Sequence, residues 1–202
     1  MTTVFVNYRT SDEENTAALL EHALSERFAS NVFFRVSKSI KPGDDFEKEL
    51  LRGVCRSSAL LAVIGPRWLE VRDEHGVREI DKESDWVRRE IVTAFDLGIR
   101  VIPVLIGEAR PLPEDALPTE LERLATCQYV RLRSRDLEAD LDRLAIALTE
   151  LVPDLHDAKV ISPAARTVDQ AHGDARVGLR AGTVFGDVHF GDFPTREERD
   201  GR

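Results

Sequence analysis

Between Val4 and Leu151 the chain switches repeatedly between short apolar runs and longer stretches with a helical stripe. Val4-Phe5-Val6 predicts a strand at the start. Ser11-Asp12-Glu13-Glu14 has the form of a capping box and predicts a helix carrying Ala17, Leu20, Leu24 and Phe28 on one face. Val32-Phe33-Phe34-Arg35-Val36 predicts a second strand, and Pro42-Gly43 punctuates the loop after it. A helix capped by Asp44 or Asp45 follows, with Phe46, Leu50 and Val54 aligned. Ala59-Leu60-Leu61-Ala62-Val63-Ile64 is an unbroken apolar run, the mark of a strand covered on both faces, and Gly65-Pro66 ends it. The charged stretch from Glu70 to Glu83 predicts a long exposed loop. A helix then runs from Trp86 to Gly98, a C′ glycine. Arg100 to Ile106 and Gln128 to Leu132 predict the last two strands, and Leu137 to Leu151 a final helix with Leu141, Leu144, Leu148 and Leu151 in register.

Strands alternating with helices give an α/β domain with a five-stranded parallel sheet flanked by helices. The expected strand order is 2-1-3-4-5, the flavodoxin-like order. Ligands of such sheets bind beyond the carboxyl ends of the strands, where the order reverses, here between strands one and three. That rim should carry Tyr8, Arg9 and Thr10, then Ser37, Lys38, Ser39 and Ile40, then Gly65 to Trp68, and the head of the Trp86 helix. Trp86 and Glu90 lie one turn apart on that helix. Val87, Ile91, Ala94 and Phe95 form a separate apolar stripe, which puts Glu90 at the edge of the buried face. Taken alone, the pair also reads as a surface Glu beside a core Trp. Arg and Lys on the rim suit a phosphorylated anion, and Glu suits a ribose or a developing cation.

Net charge is −9, which argues against a general nucleic-acid binder, and no apolar run reaches the length of a membrane span. The N-terminus shows no secretion signal, so a cytoplasmic location is expected. Cys55 and Cys127 fall in apolar patterns and read as buried thiols; the five His show no zinc spacing. Neither a metal nor a cofactor is expected. A phospho-acceptor receiver shares the strand order but needs acidic residues where this chain has Asn7-Tyr8-Arg9 and Gly65-Pro66-Arg67. A flavodoxin needs a Ser/Thr/Gly loop after strand one to cradle phosphate, and Arg9-Thr10-Ser11-Asp12-Glu13-Glu14 is too acidic for that.

Several ordered segments resemble the Toll/interleukin-1 receptor (TIR) domain family, especially its bacterial members. Val4-Phe5-Val6-Asn7-Tyr8-Arg9-Thr10-Ser11-Asp12 resembles the first box, with Asn7 where Ser is common. Ile40-Lys41-Pro42-Gly43-Asp44-Asp45-Phe46 resembles the loop after strand two, and Val63 to Leu69 a segment of bacterial members. Trp86-Val87-Arg88-Arg89-Glu90 matches the W-x-x-x-E motif of the enzymatically active members. The resemblance implies hydrolysis of the nicotinamide–ribose bond of NAD+, a substrate here and not a cofactor. Glu90 would be catalytic, and Tyr8, Arg9, Lys38, Trp68 and Trp86 would bind substrate. It also implies self-association through a loop containing Ser37, Ser39, Ile40, Pro42, Gly43 and Asp44, with activation on assembly, in antiviral defence or cell-death signalling. A non-catalytic TIR scaffold and a nucleoside deoxyribosyltransferase-like enzyme are the alternatives.

After Pro153 no helical stripe continues. The expected organisation is a TIR domain over 1–152, a flexible linker over 153–176, a Gly/Val-rich motif over 177–193 and a disordered end over 194–202. In the motif Gly182, Val184, Gly186, Val188 and Phe190 alternate with Thr183, Phe185, Asp187 and His189, a period-two strand pattern that could stack with copies of itself. It resembles bacterial amyloid signalling motifs, which implies a partner receptor of the nucleotide-binding oligomerisation type. A floppy tail or an edge strand is the plainer reading.

Overall fold

The computed structural model describes residues 3–28, 33–34, 46–152 and 154–157. These belong to one compact unit, Met1–Pro163. The tail motif and the loop from Ser37 to Asp44, Lys38 included, lie outside the described residues. Five parallel strands form one sheet: β1 (Val4–Asn7), β2 (Phe33–Phe34), β3 (Ala59–Ile64), β4 (Arg100–Ile106) and β5 (Val130–Leu132), in the order β2-β1-β3-β4-β5. The helices are α1 (Thr10–Phe28), α2 (Phe46–Cys55), α3 (Trp86–Asp96), α4 (Glu122–Thr126) and α5 (Leu137–Leu151). The expected architecture and strand order are those observed.

The sheet divides the apolar interior into two layers. Val4, Val6, Leu61 and Val63 face α1 and α5, where they meet Ala17, Leu20, Leu24, Leu144 and Leu148. Phe5, Leu60, Ala62 and Ile64 face the other way, onto Val54 of α2 and Val87, Ile91 and Ala94 of α3. Every residue of β3 is buried, as its unbroken apolar run requires. Pro103 is tolerated inside β4 because β5 pairs with β4 only from Val104 onward, so Pro103 needs no ladder donor toward β5. α3 is terminated by Leu97 as its C-cap and by Gly98 after it, whose φ of +68° is the left-handed conformation open to glycine.

Three expectations are corrected. Residues from 153 were expected to begin a linker, yet Leu155 and Asp157 are buried. Leu155 joins the α1–α5 layer, and Asp157 takes the Nε–H of Arg27 at 2.6 Å. Cys55 is exposed and Cys127 half-buried, so neither thiol is a core residue; both lie at helix ends, where the apolar stripe runs out. The charged connection from Glu70 to Glu83 is folded on itself. Arg72 and Arg78 form an antiparallel bridge. The Asp73 carboxylate takes the amides of His75 and Val77 and pairs with Lys82 at 2.8 Å. Lys82 first, then the Val77 amide, holds the Asp73 carboxyl below its ordinary range. Ile80, in a single 3₁₀ turn over Glu79–Asp81, is buried.

The start of α1 also departs from a simple capping box. The helix is kinked at Glu13, with φ −134° and ψ 41°. The Asp12 carboxylate leaves its own helix and takes the amides of Gly65 (2.9 Å) and Arg67 (3.1 Å), tying α1 to the loop after β3. A Cβ at Gly65 would collide with the Asp12 carboxylate and the Glu13 side chain. Gly65→Ala is therefore expected to destabilise the domain by about 1–3 kcal/mol, the usual size of overpacking. That corresponds to a fall in Tm of roughly 2–4 °C per kcal/mol in a domain of this size. An unchanged Tm would mean the clasp bears no load.

Candidate active site

Parity along β1 decides which side chains face α3. Phe5 and Asn7 point to the same side, toward α3, while Val4 and Val6 point to the other. Asn7 is therefore a polar side chain in a wholly buried position. Its Nδ2 donates to Glu90 Oε2 at 2.6 Å and to the Val87 carbonyl at 3.2 Å. Val87 and Glu90 belong to the first turns of α3, so the amide joins the carboxyl end of β1 to the head of that helix.

A second tie lies beside it. Arg9 donates through both terminal nitrogens to Asp85, at 3.0 and 2.8 Å, and both residues are buried. Asp85 is also the N-cap of α3, accepting from the Arg88 amide at 3.1 Å. One carboxylate thus starts the helix and fixes its head against Arg9, two residues beyond β1. The Arg9 guanidinium lies 5.7 Å from the Trp68 ring centroid.

Between these elements opens a cavity of about 780 Å³. Its walls are Tyr8, Arg9, Thr10 and Ser11 after β1, Val71, Arg72, Glu79, Lys82 and Ser84 from the connection after β3, and Trp86, Val87 and Glu90 of α3. It sits at the carboxyl edge of the sheet between β1 and β3, the switch point of the strand order. Glu90 is only 5% exposed, so it is buried and not at the edge of the apolar face as its helical position suggests. Burial pushes its carboxyl up to about 8; the Asn7 hydrogen bond opposes this and the Asp85 charge adds to it. Trp86 is half-buried, with the Arg89 guanidinium 4.4 Å from its ring centroid. The alternative reading, a surface carboxylate beside a core indole, does not hold: Glu90 is buried and Trp86 only half-buried.

Of the residues placed on the rim from sequence, Tyr8, Arg9, Thr10, Trp86 and Glu90 meet on this cavity. Trp68 does not. It is 1% exposed, packed in the α3 layer, and its Nε1 has no hydrogen-bond partner. Arg9 does not offer its terminal nitrogens to an anion, because Asp85 holds both. Three residues absent from the expected set belong to the site: Asn7, Asp85 and Lys82. Strand parity was the available signal for Asn7, and an Asp immediately before a helical stripe for Asp85. Lys82 had no signal, since its position depends on how the connection folds; it pairs with Glu79 at 3.0 Å as well as with Asp73.

The sequence profile of the TIR domain family matches residues 4–145. The chain belongs to the TIR family. Among solved structures, this TIR domain is similar to the TIR domains of the activated Roq1 resistosome, which directly recognises the pathogen effector XopQ. That likeness has a TM-score of 0.56 and 16% identity, over 73% of this chain and 99% of that one. At such identity it supports the fold alone. The TIR domain of the Toll-related receptor TRR-2 from Hydra magnipapillata is similar at a TM-score of 0.48 and 17% identity, over 73% of this chain and 97% of that one. A metazoan TIR-STING receptor from C. gigas in complex with 2′,3′-cGAMP is similar at a TM-score of 0.46 and 16% identity, over 69% of this chain and 38% of that one. Among the described residues of this TIR domain, no helix is long and apolar enough to cross a membrane.

Proposed function

We propose that this TIR domain is an NAD+ glycohydrolase that cleaves the bond between ribose C1′ and the nicotinamide nitrogen. The observation that carries the reading is a buried carboxylate, Glu90, in the wall of an open cavity at the switch point of the sheet. Such a carboxylate has no packing reason to be there, because burying it works against its charge. The cavity volume is within the ordinary range of about 300–1,000 Å³ for small-molecule sites.

The chemistry fits what the residues offer. When the C1′–N1 bond breaks, both electrons go to nitrogen, and the cationic pyridinium leaves as neutral nicotinamide. No acid is required to expel it. Positive charge develops at C1′ and the ring oxygen, as in glycoside hydrolysis. An ionised Glu90, itself buried in the cavity wall, stabilises that charge. Water then adds to C1′ and releases one proton, giving ADP-ribose; attack from within the substrate gives a cyclic isomer instead. Substrate assists the ionisation, since a pyridinium cation close to Glu90 favours its charged form. Trp86 and Tyr8 offer ring surface to the bases. Self-association is part of the reading, so turnover per molecule should rise with protein concentration.

The test is to incubate the full chain with NAD+ over a wide concentration range and identify every product. Equal amounts of nicotinamide and ADP-ribose, or of nicotinamide and a cyclic isomer, are expected. Base exchange on deoxynucleosides without nicotinamide release would replace this reading with the deoxyribosyltransferase one. An inert protein that assembles with other TIR domains would replace it with the scaffold.

A further inference from the structure

The Asn7 amide is held in one orientation. A backbone carbonyl can only accept, so the Val87 carbonyl, 3.2 Å away, requires the nitrogen end of the amide to face α3. That nitrogen also meets Glu90 Oε2 at 2.6 Å, and it can only donate there. The amide oxygen, which could have accepted from a protonated carboxyl, is turned away and has no partner. Oε2 of Glu90 is thus an acceptor in both charge states, and any proton on Glu90 sits on Oε1. Glu90 lines the cavity, and Oε1 is its one oxygen not held by Asn7.

We propose that Asn7 is a positioning residue for Glu90: oriented by the Val87 carbonyl, it holds Oε2 as a permanent acceptor and leaves Oε1 to the ligand. The inference rests on the reading of Glu90 as the reacting carboxylate. Its physical content is separate, because a fixed donor favours the ionised form of Glu90 whatever the substrate. The other charges nearby are Asp85, held by Arg9, and Arg72, Glu79 and Lys82, which line the same cavity; of these, the Asp85 charge pushes the Glu90 carboxyl up.

Titration of Glu90 in the full chain tests this, followed by carbon NMR of the glutamate carboxyls and assigned by the signal lost in Glu90→Gln. Asn7→Leu keeps the branched shape and deletes the donor. The Glu90 midpoint should rise by about one to two pH units, the worth of one hydrogen bond to a charged group. The acid limb of the kcat profile should move by the same amount. Asn7→Ala, which cannot overpack, should shift the midpoint in the same direction should Asn7→Leu fail to fold. A midpoint that shifts in a chain that leaves NAD+ intact sinks the catalytic reading and keeps the positioning role. An unmoved midpoint in a folded variant overturns the positioning role.

Discussion

Glu90→Gln is expected to abolish NAD+ cleavage and at the same time to stabilise the protein, the more so the higher the pH. Removing one charge aimed at a developing cation ordinarily lowers turnover by about 10²–10³-fold. The stabilisation follows from linkage. The folded carboxyl titrates near 8 against an ordinary value of 4.5. Between those values the folded state keeps a proton that the unfolded state has released, so stability falls as pH rises. The contribution is fully present below the unfolded value and is lost as pH passes through the folded one. Gln has no proton to lose and keeps the shape. Its gain should be small at pH 5 and on the order of a few kcal/mol at pH 9, equivalent to roughly 2–4 °C of Tm for each kcal/mol. Wild-type turnover in the variant would falsify the role. A Tm difference that is the same at both pH values would show that Glu90 is not titrating in a buried setting.

The largest loss of stability among site variants is expected from Arg9→Met. The substitution keeps much of the aliphatic stem and leaves Asp85 buried without its partner. Breaking a buried pair in this way costs about 3–5 kcal/mol, or a fall in Tm on the order of 10 °C. Adding Asp85→Asn should return part of that loss. Asn is neutral, and it still accepts as the N-cap of α3. A double-mutant cycle by thermal melts measures the coupling. Single and double variants that lose stability additively would show that the two side chains do not depend on each other.

The sheet was legible in the sequence because its strands are marked by burial alone. The apolar run of β3 admits no other partner arrangement, and the stripes of α1, α3 and α5 match the two faces it needs. The site was legible to the level of which elements meet. Tyr8, Arg9, Trp86 and Glu90 follow from the switch-point rule. What the sequence could not show is the rotation of α3 about its axis. That rotation carries Glu90 inward and leaves Trp86 half-buried; the buried stripe of Val87, Ile91 and Ala94 fits it, and the ties from Asn7 to Glu90 and from Arg9 to Asp85 accompany it. The connection after β3 differs from its expected form for a related reason. Its composition is that of an exposed loop, yet charge pairing around Asp73 and Lys82 folds it into a wall of the cavity.

Among the described residues the two apolar layers lie on opposite faces of the sheet, and they are not equal in what they may change. The layer under α3 holds the helix that carries Glu90, and any shift there moves the reacting carboxylate. The layer of α1 and α5, built from Leu20, Leu24, Leu144 and Leu148, reaches the cavity only through Val6 and Tyr8. Its remaining positions are the ones with more freedom to absorb compensating substitutions. Sequence divergence among functional homologues should accumulate there first, and it is the place to look for changes that offset a destabilised site.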